Sequence, residues 1–110
     1  MTAEFDRDNL ISIFVLEASD AMAVVMKALS PSDTGVPSPE QLVGQYIVAH
    51  RVRGAAALYG YAGISRLAER LETLLEHASD TPPTDWPGRV ASMCDLTRHI
   101  QLIVQSIGQG

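Results

Sequence analysis

Apolar residues recur at helical spacing in four stretches of the chain, roughly 6–29, 38–59, 62–78 and 87–107. The third is the clearest. Ile64, Leu67, Ala68, Leu71, Leu74, Leu75 and Ala78 form one stripe, and Ser65, Glu69, Glu72 and Glu76 form an adjacent polar one. The fourth repeats the pattern with Val90, Met93, Leu96, Ile100, Ile103 and Ile107, behind Asp85 as N-cap and Pro87 in the first turn. The first places Ile11, Phe14, Ala18, Met22, Val25 and Leu29 on one side, with Val15, Leu16 and Val24 thickening the stripe. The second opens on Ser38 as N-cap with Pro39 behind it, then runs through Leu42, Tyr46, Ala49, Val52, Ala56 and Tyr59.

No stretch alternates with period two over any length, and none has a proline beyond its first turn. The intervening segments are SPSDTGVPSP at 30–39, SDTPPTDWPG at 79–88 and the weaker break GYAG at 60–63. Four amphipathic helices with short connections predict an all-α chain, an up-down antiparallel four-helix bundle forming a single domain over 1–110.

Composition narrows the function. A hydrophobic content of 46% with 19% charged residues indicates a folded chain. Few aromatics are present, so Leu, Ile, Val, Ala and Met must build the core. The net charge of −5 excludes the basic face that nucleic-acid binding requires. A lone cysteine, Cys94, excludes an internal disulfide and a cysteine-built zinc site, and its place beside the fourth stripe marks it as a small buried residue. Trp86 is expected to pack over the bundle end. His50, His77 and His99 lie too far apart in sequence for a local ligand pattern, so no metal is expected. The N-terminus is acidic, with Glu4, Asp6 and Asp8. The longest unbroken apolar run, 21–26, is far shorter than the roughly 20 residues of a membrane span. No membrane association is expected, and a cytoplasmic location is.

The second helix breaks the pattern. At about 100° per residue, His50 lies well off the middle of its core face. The stripe it occupies is Val43, Ile47, His50 and Gly54, which holds no Lys or Glu. Gly54 is the sharper anomaly, because mid-helix glycine costs about 1 kcal/mol relative to alanine. It sits one turn after His50, and Ala55, Ala56 and Ala57 keep the surroundings low. A flat surface around an exposed imidazole admits the close approach of a second protein. Arg51 and Arg53 flank it in an otherwise acidic chain.

The stretch His50-Arg-Val-Arg-Gly54-Ala-Ala-Ala-Leu-Tyr-Gly60-Tyr resembles the signature of histidine phosphotransfer (HPt) domains. That signature is H-x-x-[KR]-G, then a second glycine between aromatics, here Gly60 between Tyr59 and Tyr61. The form is most similar to the N-terminal domain of CheA-type chemotaxis histidine kinases. Phe5 and Leu10-Ile-Ser-Ile-Phe14-Val-Leu-Glu17-Ala resemble the opening helix of those domains, and Leu67-Ala-Glu-Arg-Leu71-Glu72-Thr-Leu-Leu75 resembles their third. The resemblance implies that His50 accepts and donates the phosphoryl group. It implies that Arg53 neutralises the phosphoryl charge, that Gly54 leaves room for it, and that Glu72 bonds the imidazole. Two departures stand out: Arg53 replaces the usual Lys, and Glu69 stands where many CheA-type domains have a second His. Arginine offers a planar fork rather than a point charge.

Imidazole attacks only through an unprotonated nitrogen. If the second and third helices pack antiparallel, Glu72 can hold Nδ1–H and leave Nε2 to attack phosphorus, the orienting logic of hydrolase His–Asp pairs. Phosphoryl transfer asks mainly for positioning and charge neutralisation. The chain shows no Gly-rich phosphate loop and no carboxylate cluster for Mg²⁺. No cofactor is therefore expected on it. ATP and Mg²⁺ are expected on the partners, a histidine kinase catalytic domain and a response-regulator receiver domain. Val43, Ile47, Arg51 and Ala57 are the expected docking residues. The chain is expected to be part of a CheA-like kinase. The alternative is a non-catalytic adaptor or dimerisation bundle that docks through the 43–54 face.

Overall fold

The computed structural model describes residues 3–32 and 35–109, with side chains from Arg7 onward. The Phe5 side chain quoted above lies outside the described residues. Four α-helices follow one another, α1 (Ala3–Leu29), α2 (Gln45–Leu58), α3 (Ala62–Glu76) and α4 (Trp86–Gln109). They form the expected all-α four-helix bundle, with no β-strand among the described residues beyond a single bridge between Ser32 and Gly35. Consecutive helices pack against each other, and α4 closes the ring on α1. Short connections and right-handed helices leave this up-down arrangement as the direct way to bury four apolar stripes at once.

The stripes meet in one core. Phe14, Ala18, Met22, Val25 and Leu29 of α1 face Ala49, Val52 and Ala56 of α2. Ile64, Ala68, Leu71 and Leu75 of α3 and Val90, Met93, Ile100 and Val104 of α4 complete it. On α4 the buried stripe sits about one position round from the predicted one. Thr97 and Val104 are buried, while Leu96, Ile103 and Ile107 are only partly so. The Thr97 hydroxyl donates to the Met93 carbonyl at 2.8 Å, which lets a polar residue occupy a core position.

Helix α1 has a second apolar face. Leu10, Ile13, Leu16 and Val24 are exposed, so of the residues thickening its stripe only Val15 packs against the core. By length and composition alone, Arg7–Leu29 is apolar enough to cross a membrane, although no unbroken apolar run in it is long. In the bundle its inner stripe is covered by the other three helices.

The second stretch is not one helix over 38–59. Ser38 caps a 3-10 turn, Pro39–Leu42, with the reciprocal bonds of a capping box: Gln41 N–H donates to Ser38 Oγ, and Ser38 N–H donates to Gln41 Oε1. The chain then passes through Val43 and Gly44 before α2 begins at Gln45. Gly44 is a poor helix former, and the tighter turn before it lets Leu42 enter the core fully. Val43 therefore precedes the helix that carries Ile47, His50 and Gly54 rather than sharing its stripe.

The third stretch ends at Glu76, two residues early, and a 3-10 turn, Ala78–Asp80, follows. Asp85 occupies the predicted N-cap position of α4, its carbonyl accepting from Arg89 N–H at 3.1 Å. Trp86 is buried at that bundle end, and its indole N–H donates to the Pro37 carbonyl at 2.8 Å, tying the 30–44 connection to α4.

Candidate functional site

The site begins with the turn between α2 and α3. Gly60 has φ +85°, a conformation that side-chain-bearing residues rarely adopt. Its N–H donates to the Ala57 carbonyl at 3.1 Å, and Tyr61 N–H donates to the Ala56 carbonyl at 2.8 Å. These two bonds make a Schellman closure of α2. Tyr59 and Tyr61 then pack their rings on Phe14, at centroid distances of 5.4 and 5.3 Å. The turn is thereby clamped, and α3 returns antiparallel to α2. His50 lies 61 − 50 = 11 residues before Tyr61, and Glu72 lies 72 − 61 = 11 residues after it. Equal helical rise on either side brings the two to one level. Nearer the turn, the Ser65 hydroxyl donates to the Arg53 carbonyl at 3.1 Å and pins the register.

At that level His50 Nδ1 lies 2.8 Å from Glu72 Oε1. An ionised carboxylate only accepts, so Nδ1 carries the proton and donates. The neutral imidazole is then the Nδ1–H tautomer, with the lone pair on Nε2. The imidazole side chain is 51% exposed, whereas that of Glu72 is 10% exposed. No other described residue bonds Nε2. The carboxylate orients the ring from below, and the free nitrogen faces outward.

Arg53 supplies the counter-charge. Its Nε lies 2.7 Å from Glu72 Oε2, and its NH2 nitrogen lies 3.2 Å from His50 Nδ1. The Nε–Oε2 contact is an ion pair whose N–H is poorly aligned for a hydrogen bond. Since Nδ1 already bears its proton toward Glu72, the NH2 approach is a close contact rather than a second bond to that nitrogen. A nearly buried carboxylate without partners would be costly, and this one has the imidazole and the guanidinium. The guanidinium sits on the Nδ1 side of the ring, beside the carboxylate.

Gly54 is exposed, and a Cβ built on it would meet nothing within 4 Å. Packing inside the chain gives no reason for the glycine, in contrast to the backbone reason at Gly60. What the missing side chain leaves is open space one turn from the imidazole.

A family model described as Hpt domain matches residues 9–107. The chain belongs to the Hpt domain family. Its role is accordingly histidine phosphotransfer in a phosphorelay, a family whose partners are kinase and receiver domains. Comparison with curated proteins and with solved structures gave no match.

Around the Hpt imidazole, the surface residues expected to dock a partner are all exposed. Val43 and Ile47 are 70% and 52% accessible, and Arg51 and Ala57 are also on the outside. Arg51 does not join the Glu72 cluster. It lines a groove between α1 and α2 with Glu17, Asp20 and Val24. Glu69 lines a groove between α3 and α4 with Arg66, Arg70 and His99. His77 caps α3 and lies 3.7 Å from Asp80, away from the site.

Three residues escaped the sequence reading. Leu58 is 81% exposed and extends the apolar surface beyond Ala57. Ser65 acts through a backbone carbonyl, which no spacing rule reveals. Tyr46, assigned to the core by its place on the stripe, packs against the core but stays half-buried at the rim. Its ring lies parallel to that of His50, with centroids 6.1 Å apart and planes 18° from one another. Burial, then the Glu72 and Glu76 carboxylates and a hydrogen-bonding approach to Glu72, push the Tyr46 phenol above its ordinary value, and Arg53 partly offsets this. An aromatic one turn before a candidate histidine was the signal available.

Proposed function

We propose that His50 is the phosphoryl-carrying residue of this Hpt domain and that Nε2 is the atom that carries it. The observation that supports this most directly is the Glu72 Oε1–Nδ1 contact of 2.8 Å, which leaves the lone pair on Nε2 of a half-exposed ring. Nε2 attacks the γ-phosphorus of ATP held by a histidine kinase catalytic domain. The N–P bond forms as the P–O bond to ADP breaks, and the leaving oxygen keeps the electron pair. The proton stays on Nδ1, where the Glu72 carboxylate balances the positive charge that develops on the ring. In the second step a receiver-domain aspartate oxygen attacks the same phosphorus. The N–P bond breaks and its electron pair returns to Nε2, ready for another cycle.

Arg53 is the cation nearest the reacting ring and partners the phosphoryl oxygens after a short side-chain swing. Gly54 gives the incoming aspartate-bearing loop its approach. Val43, Ile47, Arg51 and Ala57 form the docking surface. ATP and Mg²⁺ belong to the partner domains. The His50–Gly54 and Leu67–Leu75 motifs support a place in a CheA-like, cytoplasmic chemotaxis kinase.

The test is labelling with phosphoramidate, a small donor that needs no kinase, followed by a kinase domain with ATP. Wild type should gain an acid-labile, alkali-stable phosphoryl group, and His50→Gln should gain none while keeping its helical circular dichroism. Label persisting in His50→Gln would sink the assignment. Failure of wild type to label with either donor would favour the adaptor reading, in which exposed Val43, Ile47 and Leu58 serve docking alone.

A further inference from the structure

The His50–Glu72–Arg53 cluster has a fourth member that the family motif does not contain. Tyr46 lies on α2 one turn before His50, so the two side chains are neighbours on the helix surface. Its ring is nearly parallel to the imidazole, 18° between planes at a centroid distance of 6.1 Å. The charged groups around its phenol are Glu72, Glu76 and Arg53. Glu72 Oε2 has no aligned hydrogen-bond partner, only the ion pair with Arg53. Its ring also packs against the core from the rim. The residue is half-buried at the rim, and the buried residues of α2 are Ala49, Val52 and Ala56.

We propose that Tyr46 is a positioning residue for His50: its ring walls one side of the imidazole, and its hydroxyl steadies the Glu72 carboxylate that fixes the Nδ1–H tautomer. This rests on His50 being the phosphoryl carrier. An imidazole with half its surface in solvent and only one bonded nitrogen can turn about its Cβ–Cγ bond and exchange tautomers. The first motion would turn Nε2 away from its donor, and the second would take the lone pair from it. A flat ring alongside restricts the first, and a carboxylate held by a further donor restricts the second. Tyr46 touches no reacting atom, so its effect passes through the orientation of His50 and Glu72.

Two variants separate the parts. Tyr46→Phe keeps the wall and removes the hydroxyl, while Tyr46→Leu removes both. Two-bond ¹⁵N–¹H correlation spectra of His50 read the tautomer without any phosphoryl donor. Wild type should show Nδ1–H predominating. Tyr46→Phe should show a mixture of tautomers and accept phosphoryl from phosphoramidate roughly three- to tenfold more slowly, a modest loss because the hydroxyl acts on the imidazole only through Glu72. Tyr46→Leu should be slower again, with the far-ultraviolet circular dichroism of both variants that of wild type. If both variants keep the wild-type tautomer spectrum and labelling rate, the proposal is overturned. If Tyr46→Leu does not fold, Tyr46→Phe decides alone. If wild type does not label, the phosphoryl-carrier reading fails, and the tautomer spectra still judge Tyr46 separately.

Discussion

Glu72, nearly buried on α3, holds the Nδ1 of solvent-exposed His50 on α2 at 2.8 Å, so one side of a surface imidazole is fixed from the protein interior. This pairing predicts the behaviour of Glu72→Gln. A glutamine keeps the shape but loses the charge that balances the phosphorylated ring, and its amide can present a donor to Nδ1 instead of an acceptor. The rate of phosphoryl acceptance from phosphoramidate should fall by about tenfold or more, equivalent to about 1.4 kcal/mol of transition-state stabilisation. Arg53 loses its ion-pair partner at the same time, so Glu72→Gln should also lower the unfolding free energy by about 1–3 kcal/mol in urea titrations. A variant with wild-type rate and stability would remove Glu72 from the site.

Gly54 predicts opposite effects on stability and on function. A Cβ there meets nothing, and alanine is the better helix former. Gly54→Ala should therefore raise stability by about 0.5–1 kcal/mol. On the proposed role of the open space in partner approach, Gly54→Leu should slow transfer to a receiver domain strongly while phosphoramidate labelling changes little. Equal loss in both assays would mean that the glycine serves the imidazole itself and not the partner.

Periodicity exposed the bundle and its core because four stripes at a period near 3.6 have few other ways to bury themselves. The same rule misplaced what depends on local detail. It ran α2 through Val43 and Gly44, where a capped 3-10 turn carries Leu42 inward instead. It shifted the α4 stripe by a position because Thr97 reads as polar, although its hydroxyl is satisfied by the Met93 carbonyl. It put Tyr46 on the core stripe, and the ring does pack against the core, but spacing could not show that its phenol lies near the carboxylates at the rim. Of the site, His50 and Gly54 were legible as departures from pattern. Glu72 needed the antiparallel return of α3, and the Arg53–Glu72 contact needed side-chain geometry that spacing does not carry.

Cys94 gives a prediction in pH. Partial burial raises its thiol above the ordinary value, with Asp95 adding to the rise and Arg98 opposing it. The folded state therefore holds the proton to higher pH than the unfolded state does. Its contribution to stability is intact below the unfolded thiol value of about 8.5 and is lost as pH rises above it. Urea midpoints of wild type should decline more steeply than those of Cys94→Ala between about pH 8 and pH 10. Alkylation of native Cys94 by iodoacetamide should be slower than that of the denatured chain at the same pH. Parallel urea curves and equal alkylation rates would contradict this.

The positive φ of Gly60 links stability to the site. An alanine there must adopt a φ of about +85° that costs it roughly 1–2 kcal/mol, or else move the turn. If the turn holds, Gly60→Ala loses that amount, and the midpoint of thermal unfolding should fall by roughly 4–8 °C per kcal/mol in a domain near this size. The phosphorylation rate would then be unchanged below the transition. If the turn moves, the Schellman bonds to Ala56 and Ala57 and the clamp of Tyr59 and Tyr61 on Phe14 are lost together. The α3 register then slips relative to α2. A slip of one residue turns Glu72 by about 100° and carries its carboxylate out of reach of Nδ1. Thermal unfolding and His50 tautomer spectra taken on the same Gly60→Ala sample distinguish these outcomes. A lowered midpoint with a wild-type spectrum assigns the glycine to stability alone. A lowered midpoint with mixed tautomers shows that the turn sets the level at which Glu72 meets His50. An unchanged midpoint would contradict the strain at this position.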